Sequence, residues 1–179
     1  MHNKGKILSD EREYTCPWFD IHKQKIQYPN GVFRDYFIMK KQIEFVGVVA
    51  KTQNKFVVLK QWRPTIMDYL HEFPMGGMDK GETPQQAAQR ELFEETGYRS
   101  QNWKFLGAYY LAVGFTGSRG HMFFADDCER VAENNGDETE MITVETFSES
   151  QLHQAVRDSR FSDGPSIAAW GMYQAVLTS

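Results

Sequence analysis

Three glutamates, Glu91, Glu94 and Glu95, stand within five residues of one another. On a helix that turns by about 100° per residue they fall within an arc of about 100°. Like charges at this spacing repel each other, so either solvent screens them or a cation is expected between them. Carboxylate oxygens suit Mg²⁺ or Mn²⁺, which are hard ions that prefer oxygen ligands. The alternative interpretation is a solvated helix face that happens to be rich in glutamate.

Flanking residues predict that the three glutamates lie on one short helix. Thr83 can act as the N-cap and Pro84 as the first helical residue. Gly97 suits the left-handed conformation that ends many helices. The predicted helix therefore covers residues 84–96, and it places Arg90 one turn before Glu94, within reach of its carboxylate.

The stretch 76–98, GGMDKGETPQQAAQRELFEETGY, resembles the signature of the Nudix hydrolases, Gly-x5-Glu-x7-Arg-Glu-U-x-Glu-Glu-x-Gly-U, where U is aliphatic. The chain departs from it only at the last position, where Tyr98 replaces an aliphatic residue. The matching residues are Gly76, Glu82, Arg90, Glu91, Leu92, Glu94, Glu95 and Gly97.

The resemblance implies a role for each of these residues. Glu91 and Glu95 are the expected principal metal ligands, and Glu94 is a further one. Arg90 would orient the carboxylates. The expected catalytic residues of the helix are therefore Arg90, Glu94 and Glu95. The expected ion is Mg²⁺, with Mn²⁺ as a possible substitute.

The loop before the helix is expected to contribute to the same metal site. The resemblance implies that Glu82 ties the loop to the helix through Arg90, and that the backbone carbonyl of Met75 completes the metal shell. Gly76 and Gly77 have no Cβ atoms, so their backbone can approach metal and diphosphate closely.

Other segments resemble the branch of this family that hydrolyses ADP-ribose and nucleotide sugars. These are QWRP at 61–64, HEFPMGG at 71–77, LGAYYLAVGFTGSRGHMFFADD at 106–127 and the hairpin CPWFDIHKQKIQYPNG at 16–31. Two positions depart from the branch: Val113 stands where proline usually precedes Gly114, and Ser118 stands where glutamate is common. We therefore expect hydrolysis of ADP-ribose and other nucleoside diphosphate sugars, without strict specificity for ADP-ribose.

The branch resemblance also points to residues outside the helix. Within NGDETEMITV, residues 135–144, Glu138 is the expected general base and Glu140 an additional metal ligand; the alternative is that both are ordinary surface residues. Arg63 is expected to contact phosphate or the terminal ribose, since guanidinium binds paired oxygens well. The expected substrate-binding residues are Arg63, Trp18, Arg34, Asp35, Gly76, Gly77 and Gly114, although Trp18 could equally belong to the core.

The elements that must position these residues form an α/β pattern. Short apolar strands at 45–50, 55–62, 68–74, 103–113, 120–127 and 141–147 surround the signature helix, and amphipathic helices follow at 148–159 and 164–177. A loop is expected at 114–120, between two of the strands. The resemblance implies a Nudix-type α/β/α sandwich around a mixed sheet, occupying residues 41–179. Residues 1–40 are predicted to form an antiparallel hairpin arm with a turn at 29–31, which in this branch is commonly exchanged in a homodimer.

The amino-acid composition limits the kinds of partner that the protein is expected to bind. A net charge of −4 with no basic block argues against nucleic-acid binding. No apolar run approaches the roughly 20 residues that span a bilayer, and Cys16 and Cys128 fit no metal-ligand spacing. We therefore expect a soluble, cytoplasmic protein that does not bind membranes. The alternative functions are a coenzyme or housecleaning pyrophosphatase acting on NADH or dinucleoside polyphosphates, and a sensor that binds ADP-ribose without chemistry.

Overall fold

The computed structural model describes residues 4–41, 44–133 and 141–177. The chain divides into two compact units. Unit 1 comprises Met1–Ile43 and Tyr110–Arg119, and unit 2 comprises Glu44–Tyr109 and Gly120–Ser179. Among the described helices, none is both long and apolar enough to cross a membrane.

Unit 1 is built on three antiparallel strands, β1 (Lys6–Thr15), β2 (Asp20–Gln27) and β3 (Phe33–Lys40), in that order. The turn between β2 and β3 closes with a hydrogen bond that the Tyr28 amide donates to the Val32 carbonyl at 2.7 Å. Gly31 lies in this turn with φ of 86°, a conformation that favours glycine. The second segment of the unit adds a parallel pairing of Thr116 with Met39.

Unit 2 holds the helices and most of the remaining strands. The strands are β4 (Glu44–Thr52), β5 (Lys55–Arg63), β6 (Asp68–Glu72), β7 (Met75–Gly77), β8 (Tyr98–Arg99), β11 (Glu129–Arg130) and β12 (Ile142–Phe147). The helices are α1 (Pro84–Thr96), α2 (Glu149–Arg157) and α3 (Gly164–Leu177). Two long strands, β9 (Asn102–Ala112) and β10 (Thr116–Asp126), have residues in both units.

The sheet of unit 2 carries two cores, one on each face. Strands β10, β4, β5 and β12 are neighbours in that order, while β6 pairs with β5 and β7 with β4. Side chains alternate between the faces of a strand. In β5, Phe56 and Val58 belong to the core with residues of α2 and α3, and Val57 belongs to the core with residues of α1. Helices therefore cover both faces of the mixed sheet, and the expected α/β sandwich is confirmed.

Two elements differ from the sequence prediction. The expected loop at 114–120 is wrong from residue 116 onward, because β10 already begins at Thr116. Thr116 and Ser118 are 5% and 2% exposed, and their hydroxyl oxygens lie 2.9 Å apart; this pairing lets polar residues continue a buried strand. Strand β1 was not predicted, since all ten of its residues are exposed and it therefore shows no apolar alternation.

Candidate functional site

Helix α1 begins and ends as its capping residues require. The Thr83 hydroxyl accepts a hydrogen bond from the Gln86 amide at 3.3 Å, and the Gln86 side chain accepts one from the Thr83 amide at 2.9 Å. This reciprocal pair is a capping box. Gly97 ends the helix with φ of 72°. Ala87, Ala88 and Leu92 pack against the sheet, so the face that carries the glutamates is held in a fixed orientation.

Glu91 and Glu95 form a buried pair beside strand β7. Their exposed fractions are 9% and 8%. A Glu95 carboxylate oxygen accepts a hydrogen bond from the Met75 amide at 2.9 Å. The Glu91 carboxylate lies so close to Gly76 that a Cβ atom there would overlap it. Two carboxylates that burial would normally penalise are therefore brought together where β7 meets α1.

Glu94 differs from this pair, because its side chain is 53% exposed. One of its oxygens accepts a hydrogen bond from Arg90 Nη1 at 3.0 Å, which is the contact expected one turn along a helix. The three glutamates thus share one face, but two are buried and one reaches solvent.

Arg90 is the centre of a network that joins the helix to the loop before it. Its Nε and Nη2 donate to the two Glu82 oxygens at 2.9 and 3.0 Å, and its Nη1 donates to Glu91 at 2.7 Å. Its Nη2 also donates to the Gly77 carbonyl at 2.8 Å. The bidentate bond from Arg90, together with the Asp79 amide, lowers the pKa of Glu82, and Glu82 in turn raises the pKa of Arg90. Glu82 and Arg90 therefore stay charged at neutral pH.

Arg63 is held by a partner that the sequence analysis did not single out. Its Nε and Nη2 donate to the two oxygens of Glu72 at 2.8 and 2.5 Å. Glu72 is 1% exposed and raises the pKa of Arg63. A buried acid needs a cation, but β6 also carries Asp68 and His71, so the sequence does not mark Glu72 as the acid that is buried.

Unit 1 contains the other predicted substrate-binding residues. Trp18 is 73% exposed, so its interpretation as a core residue is wrong. Arg34 and Asp35 are exposed on β3, and Asp35 pairs with Lys23 at 3.0 Å. The Gly114 carbonyl accepts a hydrogen bond from the Tyr36 hydroxyl at 2.7 Å. These contacts describe unit 1 alone and leave the role of the four residues in substrate binding a prediction.

The expected base and additional ligand, Glu138 and Glu140, lie outside the described residues. Over 4–41, 44–133 and 141–177, no group of three or more histidine, cysteine, aspartate or glutamate side chains is arranged to hold a metal. The described part of the site thus offers two buried carboxylates, a third at the solvent edge and the backbone of Met75.

This donor set fits a hard divalent cation. It consists of oxygen atoms only, as Mg²⁺ and Mn²⁺ require. The close approach of Gly76 to Glu91 leaves the carboxylate against a backbone without side-chain bulk, and Arg90 donates hydrogen bonds to both Glu91 and Glu94. The residues present therefore fit the ion that the sequence predicts.

Comparison with known proteins agrees with this geometry. The family described as the NUDIX domain matches residues 40–169. An ADP-ribose pyrophosphatase of Bacillus subtilis is 29% identical over 78% of this chain and 76% of its own length. The ADP compounds hydrolase NudE of Escherichia coli is 25% identical over 93% of this chain and 89% of its own length.

A solved structure shares the fold. The crystal structure of an ADP compounds hydrolase aligns with a TM-score of 0.88, covering 98% of this chain and 95% of that chain, at 24% identity. At 24% identity, this similarity shows that the two proteins share a fold.

Proposed function

The chain belongs to the NUDIX family as a pyrophosphohydrolase, and from this premise we propose that it hydrolyses the diphosphate bond of ADP-ribose and other nucleoside diphosphate sugars. The products would be a nucleoside monophosphate and a sugar phosphate. The single observation that carries the proposal is the buried Glu91–Glu95 pair, held beside β7 by Arg90 and the Met75 amide.

Glu91, Glu95, Glu94 and the Met75 carbonyl would hold Mg²⁺ or Mn²⁺, with Glu140 as a further ligand. When bound, such an ion neutralises diphosphate charge, positions a water molecule and stabilises the leaving phosphate. Arg90 keeps Glu91 in place and carries positive charge next to it. Because Arg90 also fixes the Gly77 carbonyl, the loop and helix form one rigid support for the ligands.

Two side chains outside the helix have proposed roles toward substrate. Arg63 has its guanidinium oriented by Glu72, with its side chain still 39% exposed, so it can offer its remaining N–H groups to a phosphate or a ribose. Glu138 would take the proton of the attacking water, the work of a general base. Gly76, Gly77 and Gly114 would let the backbone approach the substrate.

The breadth of the proposed substrate class is supported by the relatives and by two local differences. The names of the relatives concern ADP-ribose and ADP compounds. In this chain Val113 is 78% exposed, and Ser118 is 2% exposed with its hydroxyl next to that of Thr116. Ser118 thus offers no carboxylate at the position where the branch often has one, which favours a tolerant site.

A homodimer that acts in the cytoplasm is part of the proposal. Of the nineteen exposed large hydrophobic side chains among the described residues, eleven lie in unit 1. Such a concentration of apolar surface is typical of an interaction site.

Both cysteines, Cys16 and Cys128, are free thiols, which agrees with a reducing compartment.

The substitution Glu95→Gln tests the metal assignment. We expect kcat to fall by at least about 100-fold, the loss that even indirect partners of a metal cause. The glutamine oxygen can still accept the Met75 amide, so the unfolding curve should be unchanged. Glu129→Gln on exposed β11 is the control and should retain full turnover. A Glu95→Gln variant with wild-type kcat would show that the metal assignment is wrong.

A further inference from the structure

A cavity in unit 2 is formed by β5, β6, β12 and α2. It encloses about 480 Å³, within the range of small-molecule sites. Seven residues line it, six of them polar or charged: Lys60, His71, Glu145, Phe147, Gln151, Gln154 and Arg160.

The cavity is on the opposite face of the β5–β6 pair from Arg63. Lys60 pairs with His71 across the two strands, and Leu59 pairs with Glu72. Since neighbouring residues of a strand face opposite ways, the buried Glu72 that binds Arg63 faces away from His71. The cavity is therefore separate from the carboxylate site.

Positive charge is fixed along one wall. The His71 amide donates to the Arg160 carbonyl at 2.9 Å, so Arg160 adjoins the pair formed by His71 and Lys60. The Lys60 ammonium lies 5.3 Å from the centre of the Tyr69 ring, and no salt bridge to Lys60 is present in the described part of the chain. Among the residues that the structure describes, the one carboxylate paired with Arg160 is that of Asp158, at 3.4 Å.

The remaining lining groups suit the neutral part of a ligand. Glu145 is the one carboxylate among the lining residues, and it lies 3.3 Å from His71 Nε2. The ring of Phe147 packs against that of His71, with 5.0 Å between their centres. A carboxylate held in this way can still accept a hydrogen bond from a hydroxyl group. The amide of Gln151 on α2 can donate or accept at the other wall.

We propose that this cavity is a binding site for a small phosphate monoester. Lys60 and Arg160 would share the phosphate oxygens, since charge-assisted bonds of this kind are among the strongest in proteins. Glu145 and Gln151 would bond the hydroxyl groups of the ester. The site needs neither the metal nor the reaction proposed above, although both products of that reaction are phosphate monoesters.

The test is a titration of the full chain in EDTA, followed by backbone amide chemical shifts. EDTA removes divalent ions and thereby prevents metal-bridged phosphate at the carboxylate site. The probes are inorganic phosphate, AMP and ribose 5-phosphate. We expect saturable shifts at Lys60, His71, Glu145 and Gln151, and tighter binding of the two esters than of inorganic phosphate.

Substitution of Lys60 and of Arg160 tests whether their positive charges account for the binding of the phosphate. Lys60→Gln and Arg160→Gln should each weaken it by about tenfold, whereas Lys55→Gln, an exposed residue at the other end of β5, should not. Unchanged affinity in both cavity variants, shifts confined to other residues, or no saturation up to about 10 mM would overturn the site. Equal affinity for all three probes would overturn its assignment to an ester.

Discussion

At the scale of single residues, Arg90 and Gly76 decide how two buried carboxylates can coexist. Arg90 is hydrogen-bonded to Glu82, Glu91, Glu94 and the Gly77 carbonyl, so its charge offsets part of the repulsion among the glutamates. Gly76 provides the space in which the Glu91 carboxylate lies. The loop glycines were expected to let the backbone approach metal and diphosphate. In the structure, Gly76 lets the backbone approach the Glu91 side chain.

The neighbouring glycines should therefore respond differently to alanine. In Gly76→Ala the new Cβ would overlap Glu91 and displace it from Arg90, and overpacking of this kind typically lowers the free energy of unfolding by about 1–3 kcal/mol. Gly77→Ala is the matched control, since its Cβ would meet nothing within 4 Å. Urea unfolding in EDTA measures both. Equal stability of the two variants would contradict the tight contact at Gly76.

At the scale of secondary structure, strand β1 shows how an exposed element is held. Asp10 accepts hydrogen bonds from Lys40 Nζ, from His22 Nδ1 at 2.5 Å and from Gln24 Nε2 at 2.6 Å. One carboxylate of β1 thus contacts both other strands of unit 1. These bonds, that from Lys40 foremost, keep the pKa of Asp10 well below its usual 3.8.

This network predicts a pH-dependent contribution to stability. Because the folded pKa of Asp10 is lowered, its stabilisation is complete above the unfolded value near 3.8 and is lost as the pH falls through the folded value. The difference in unfolding free energy between wild type and Asp10→Asn should therefore be larger at pH 5 than at pH 3. Glu13→Gln, also exposed on β1 but outside this hydrogen-bond network, is the control and is measured at the same two pH values. A difference for Asp10→Asn that stays constant from pH 5 to pH 3 would contradict the network.

Some of the helices and strands could be predicted from the sequence, and others could not. Helix α1 was predicted at its observed bounds, because Thr83, Pro84 and Gly97 are local capping signals. The hairpin of β2 and β3 was predicted for the same reason, from its turn residues. Strand β1 and the start of β10 were missed, since their pairing depends on contacts distant in sequence, such as those of Asp10 with Lys40 and of Thr116 with Met39.

The site was predictable to a similar extent. Glu91, Glu95 and Arg90 were found because their spacing within one helix is visible in the sequence. The binding of Arg63 by Glu72 was missed, because it joins two strands whose register the sequence does not reveal. The split between buried Glu91 and Glu95 and exposed Glu94 depends on how α1 packs against β7.

At the scale of the whole molecule, the proposed homodimer can be tested through the apolar surface of unit 1. Phe33 and Phe37, on β3, are 54% and 53% exposed. Removing apolar area from an interface weakens association, so the double substitution Phe33→Ser and Phe37→Ser should shift the protein toward monomer in sedimentation velocity. Ile66→Ser, at an equally exposed position of unit 2, is the control. A double variant that sediments as the wild type would exclude this strand from the interface.

The most direct test of the central claim is product release from ADP-ribose, GDP-mannose, UDP-glucose, NADH and diadenosine polyphosphates, measured side by side with Mg²⁺ and with EDTA. We expect the nucleotide sugars to be hydrolysed to monophosphates only with Mg²⁺, and faster than NADH or the dinucleotides. Binding of ADP-ribose without turnover, or equal turnover in EDTA, would contradict the assignment of Glu91 and Glu95 as ligands of a catalytic metal.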